Sequence, residues 1–211
     1  GPDIYLYKAM PSMSYQNVPR NNIINGVATD IYKVRLQPVL SVGQVALKKF
    51  AVTVKWNDAS PNGTLALRDL RVLRDGADIT DSVTLSTGFG VDLKNNGMDE
   101  NNSTSGDVIG VTIKAEERIN KDTTYTFVAT PQGFGDGDSF QTEFFTDIKD
   151  YFVPGAHYLR DSDGDGNYRL AYSATGQEVV PSGGFLWSDL SALNHRYTNG
   201  SASADWANGY L

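Results

Sequence analysis

The chain has 211 residues, no cysteine, two histidines (His157 and His195) and a formal charge of −7. That length suits one large or two small domains. The missing thiols exclude a disulfide scaffold, a cysteine-type zinc site, an iron–sulfur cluster and a thiol nucleophile. The acidic balance argues against nucleic acid as a partner, since neutralising phosphates takes a Lys/Arg surplus. No apolar run reaches the length of about 18 residues that a membrane-spanning helix needs. Gly1-Pro2 reads as the scar of a cleaved expression tag.

Twenty of the 25 acids are Asp and five are Glu, beside 21 Gly and 11 Tyr. Asp, Asn, Gly, Ser and Thr favour turns and strand ends, so the composition points to an all-β chain. The first apolar run, residues 3–10, reads as a strand stopped by Pro11. Residues 29–37 alternate, with Tyr32, Val34 and Leu36 on one face. In 50–56, Phe50, Val52, Val54 and Trp56 share a face that reads as core. Val45 and Leu47 have the opposite parity, which predicts a bulge near Lys48-Lys49. Residues 64–73 switch parity as well, from Leu65 and Leu67 to Leu70 and Val72. Asp75-Gly76 is a turn signal. Val83 and Leu85 open another strand, residues 94–107 read as a long polar loop, and Ile109, Val111 and Ile113 alternate, as do Tyr125, Phe127 and Ala129. Seven or eight short strands by about residue 130, with no helical stripe, is sandwich spacing. Residues 3–148 read as the sandwich and 149–211 as an acidic loop, closing strands and tail of the same domain.

Residues 134–166 hold eight acids against Lys149 and Arg160. Within them, Asp161-Ser162-Asp163-Gly164-Asp165-Gly166-Asn167 matches the first half of a calcium loop, with oxygens at positions 1, 3 and 5, the sharp-turn glycine at 6 and a carbonyl at 7. Three carboxylates this close repel one another unless a cation sits among them. Asp161, Asp163, Asp165 and Asn167 are therefore the expected calcium ligands. Position 12, where an EF-hand carries Glu, is Tyr172, so a missing carboxylate must come from elsewhere. Asp147, Asp150, Glu178 and Asp189 are the candidates. Gly135-Asp136-Gly137-Asp138 reads as a plain turn.

The C-terminal stretch Phe185-Leu186-Trp187-Ser188-Asp189-Leu190-Ser191-Ala192, with His195 and then Ala204-Asp205-Trp206-Ala207-Asn208-Gly209-Tyr210-Leu211, resembles a recurring pattern in large secreted proteins of candidate phyla radiation bacteria. Tyr7-Lys8-Ala9-Met10-Pro11, Asn25-Gly26 and the Leu70–Ile79 segment with its Arg-Asp-Gly turn are similar to the same group. Ala207 stands where the pattern has Thr. The resemblance implies an immunoglobulin-like β-sandwich in a surface-layer-like protein that is extracellular, at the cell surface, and has neighbouring domains of the same protein as partners. It implies no membrane insertion and little about activity.

Ser188, Asp189, Ser191 and His195 are close in sequence, but no Gly-x-Ser-x-Gly elbow accompanies them, so a structural role is expected and no enzyme. A glycosidase pair among 25 acids cannot be singled out by sequence. Lys8 and Lys49 lie in apolar segments, where an isopeptide crosslink would need a buried Lys. The expected fold is an all-β, immunoglobulin-like sandwich with a calcium-binding loop and a C-terminal tail packed on it. The expected role is a structural or adhesive module, the alternative being a carbohydrate-binding module that takes a glycan or host-cell surface on exposed aromatics. Trp206, set in a polar tail, is the stacking candidate of that alternative, although a plug covering the sandwich end is the favoured reading of it; Trp56 and Trp187 read as core.

Overall fold

The computed structural model describes residues 7–18, 23–39, 43–60, 63–87, 92–101, 108–145, 185–198, 201–203 and 205–208. In chain order these form β1 (Met10–Tyr15), β2 (Thr29–Val39), β3 (Val45–Asn57), β4 (Ala66–Arg74), β5 (Ala77–Asp78), β6 (Val83–Ser86), the one-turn helix α1 (Leu93–Asn96), β7 (Met98–Asp99), β8 (Val108–Ile119), β9 (Thr123–Gln132), β10 (Ser139–Phe144), β11 (Phe185–Ser188), β12 (Tyr197–Thr198), β13 (Ser201–Ala202) and β14 (Trp206–Asn208). The all-β expectation holds. One sheet runs β1-β2-β9-β4-β5, with β7 also on β4. The other runs β14-β11-β3-β8-β6, with β10 also on β3.

The two sheets pack face to face through the residues whose alternation was legible. Phe50, Val52 and Val54 of β3 and Ile109 and Val111 of β8 join Val34, Leu36, Val72, Tyr125 and Phe127 of the other sheet in one buried cluster. Phe50 bridges the layers, its ring 4.9 Å from Tyr125 and 5.7 Å from Phe127. Both parity breaks are real. The β3–β8 register shifts between Leu47 and Lys49, and the β4–β9 register shifts between Arg68 and Arg71. An odd number of extra residues in one strand switches which face points inward, as a one-residue bulge does at the second break, and Asp69 inside it sits at φ 49°. Asp75 (φ 48°) and Gly76 (φ 84°) close the β4–β5 hairpin. Positive φ at both central residues is the type I′ geometry that matches strand twist.

Three expectations need correction. Of the first apolar run, residues 3–6 lie outside the described residues, and β1 contains Pro11 rather than ending before it. Pro is tolerated there because β1 is the outer strand of its sheet, where one side of the backbone needs no ladder partner. The stretch 94–107 is not all loop: Asp92 caps α1 by accepting from the Lys94 N–H, and β7 follows. Trp56 is half-buried at the margin of the core, where its ring meets Phe134 and Phe140 at 6.4 Å each.

β3 is the strand on which the second sheet is organised. Its one edge carries β8. Its other edge carries β11 along Ala46–Phe50 and β10 along Val52–Asn57. β10 and β11 thus lie end to end: Phe144 is opposite Val52, Phe185 is opposite Phe50, and the Phe145 N–H donates to Ala51 O between them. The rings of Phe144 and Phe185 touch edge to face at 5.5 Å. In register, the two strands are halves of one strand, interrupted at a single position by residues 146–184.

Candidate functional site

The residues at the C-terminal end build a small layer on the outer face of the second sheet. Alternation along β11 sends Phe185 and Trp187 into the main core, while Leu186 and Ser188 face outward. Leu186, Ala46 and Trp206 form a second buried cluster, with Leu190 and Tyr197 packed against it. Trp206 is fully buried. Its indole N–H donates to Arg196 O at 2.9 Å, and its ring lies between His195 (5.2 Å, stacked) and Tyr197 (5.0 Å, edge-on). Burial of such a ring contributes roughly 1.5–3 kcal/mol. The plug reading of Trp206 thus fits and the alternative stacking role does not, because the ring is fully buried by the protein itself.

A polar cluster locks this layer. His195 Nδ1 lies 2.7 Å from Asp205 Oδ2, and His195 Nε2 lies 2.8 Å from Glu116 Oε2 on β8. The Ser188 hydroxyl donates to Asp205 Oδ2 at 2.8 Å and accepts from the Leu190 N–H at 2.9 Å. Ser203 Oγ donates to the other oxygen of Asp205. Burial pushes the Asp205 carboxyl up, but the bonds from Ser203, His195 and Ser188 outweigh it and hold the group below the usual carboxylate range. Arg118 lies 3.3 Å from Glu116 on its far side. Leu190, next to this cluster, is held at φ 56°, a conformation a branched side chain adopts only when its surroundings fix it.

Asp189 takes no part in that cluster. It is buried, and its two oxygens accept from the backbone N–H groups of Lys8 (2.8 Å) and Ser191 (3.0 Å). The adjacent Tyr7 and Trp187 rings meet at 5.3 Å. The segment at Tyr7-Lys8 is thus joined to β11 and the turn that follows it. The structure pairs His195 with Ser188 and Asp205, not with Asp189. Ser188 is completely buried and spends its proton on Asp205, so its oxygen is not presented to any substrate. The side chain of Lys8 is exposed. Lys49 is buried on β3, and its neighbour Lys48 donates to Lys114 O at 3.0 Å.

Of the expected calcium ligands, Asp161, Asp163, Asp165, Asn167, Asp150 and Glu178 lie outside the described residues, as does Asp147. Among the described residues no three His, Asp or Glu side chains converge as a metal site, and no helix is long and apolar enough to cross a membrane. Asp138 of the Gly-Asp-Gly-Asp stretch does act as a turn residue: its carboxylate accepts from the N–H groups of Gly135, Ala59 and Ser60, which, led by Gly135, hold it below the usual range. A cleft of about 490 Å³ lies beside the β4 bulge, where Asp69, Arg71, Asp78, Asp81 and Lys94 meet. Its Lys94 and Asp81 pair with each other.

Sequence reading missed Glu116 and the partnership of Asp205 with His195. Asp205 was visible as half of an Asp-Trp pair; Glu116 carries no local signal, because it reaches His195 across 79 positions of sequence. Fold and site together define a two-sheet, all-β domain whose C-terminal segment is fastened to the outside of one sheet by a buried polar lock. Comparison with protein-family models, curated proteins and solved structures finds no match.

Proposed function

We propose that this is a structural or adhesive module of a bacterial cell-surface protein, an immunoglobulin-like sandwich stabilised by calcium. The observation that carries the reading is how the motif residues are used. Trp187, Ser188, Asp189, His195, Asp205 and Trp206 go into joining the Tyr7-Lys8 segment to β11 and covering a sheet. A module strung between neighbouring domains needs its ends fastened, and without cysteine it must do so with packing and hydrogen bonds. The calcium part rests on the Asp161–Asn167 sequence, which stands in the stretch interrupting the β10–β11 strand. Three carboxylates within five residues favour a hard cation with oxygen ligands.

The test is calcium titration. An ion held only by the folded chain stabilises it by about 2.7 kcal/mol at a hundredfold over the dissociation constant. Extracellular modules bind at roughly 0.1–1 mM. We expect binding heat by calorimetry, a melting temperature lowered by chelator, and loss of both responses in Asp163→Ala. A melting curve indifferent to calcium, chelator and Asp163→Ala contradicts the calcium reading.

A further inference from the structure

We propose that the C-terminal layer is fastened to the second sheet by a proton, through a doubly protonated His195 that releases Glu116 when it loses one. A carboxylate has only acceptors to offer, and each ring nitrogen of His195 faces a carboxylate oxygen at hydrogen-bond distance, Asp205 at 2.7 Å and Glu116 at 2.8 Å. Both nitrogens must donate, so the ring is a cation in this arrangement. The two bonds do different work. Asp205 lies ten residues from His195 in the same terminal segment, so that bond is internal to the layer. Glu116 belongs to β8, so its bond ties the layer to the sheet.

Among the described residues, the groups around the ring agree with a cation. Asp205 is an anion with 1% of its side chain exposed, and it also takes the Ser188 hydroxyl of β11. Trp206 of β14 stacks on the ring, an aromatic face that attracts positive charge. From β8, Glu116 approaches with 24% of its side chain exposed, and Arg118 sits beyond it. From β3, Lys48 holds its ammonium over the Tyr197 ring, 5.1 Å from its centre, and donates to Lys114 O. Loss of one proton leaves a ring lone pair against a carboxylate. The half-exposed Glu116, with Arg118 as an alternative partner, is the one free to turn away. With one proton the ring can donate to only one of the two carboxylates, so the tie to Glu116 is present while both nitrogens carry a proton and is lost when one does not.

The test follows the His195 ring nitrogens and the Trp206 indole N–H by NMR from about pH 5 to about pH 9, with urea unfolding at each pH. It is done in the wild type, in Glu116→Gln, whose amide can accept from the charged ring or donate to the neutral one, and in His195→Gln. We expect two ring protons at the acid end, and an indole shift that tracks loss of the second. We expect a wild-type folding constant that falls at least about threefold across the range, a smaller fall in Glu116→Gln, which keeps the Asp205 bond, and no such fall in His195→Gln. A ring with one proton at about pH 5, or the same pH response in wild type and Glu116→Gln, overturns the proposal.

Discussion

Tyr125 shows how a well-packed ring can carry a poorly placed atom. Its side chain is fully buried against Phe50, yet its hydroxyl meets no hydrogen-bond partner among the described residues. Burial pushes the phenol well above its ordinary range, and the charge of the nearby Glu117 carboxylate, itself paired with Arg74 at 2.7 Å, adds to the shift. A buried polar atom left unpaired costs about 1–3 kcal/mol, whereas deleting it along with its demand for a partner can be neutral or favourable. Tyr125→Phe is therefore expected to equal the wild type in urea unfolding or exceed it by about 1 kcal/mol. A loss of more than about 1 kcal/mol would mean the hydroxyl has a good partner. Nothing in the alternating Tyr125-x-Phe127-x-Ala129 pattern distinguishes a Tyr from a Phe at that position. The pattern reports which way a side chain points, not what waits at its tip.

The element that best explains the chain's organisation is the split strand β10–β11. Phe185 takes the place in register directly after Phe145, so β3 is covered along its length by two pieces that the chain makes far apart in sequence. A closed excursion of this kind costs little more entropy as it lengthens, because closure scales with the logarithm of loop length. A chain with Phe145 joined directly to Phe185 should accordingly keep its β-type circular dichroism and unfold cooperatively, while losing any calcium response carried by Asp161, Asp163 and Asp165. An unfolded or aggregated product would show that the sandwich depends on residues 146–184. Local features of the strands were legible beforehand. The inward faces of β3, β8 and β9 follow a period of two, and the bulges near Lys48 and Asp69 declare themselves as parity breaks. The pairing of β10 and β11 with the same edge of β3 was not legible, since both segments are short and their partner is determined by the whole sheet. Pro11 misled for a related reason: whether a proline ends a strand or lies within it depends on whether the strand is at an edge.

At the scale of the molecule, the C-terminal segment is a third partial layer on a two-sheet body. It contributes two strands to the second sheet, buries Trp187 on one face and Trp206 on the other, and holds the N-terminal segment at Asp189. That the tail aromatics pack back on the sandwich was legible from their cost in water. The manner was not, because the lock joins Glu116, Ser188, His195 and Asp205 from places no local spacing connects. Residues 185–198 and 205–208 are part of the folded body and not an appendage. Hydrogen exchange tests it most directly, because protection reports the free energy of local opening segment by segment. The account expects the amides of Leu186, Trp187 and Ser188 and those of Trp206 and Ala207 to exchange slowly, alongside β3 and β8. Exchange of residues 196–208 at the rate of a free chain, with β3 and β8 still protected, would contradict it.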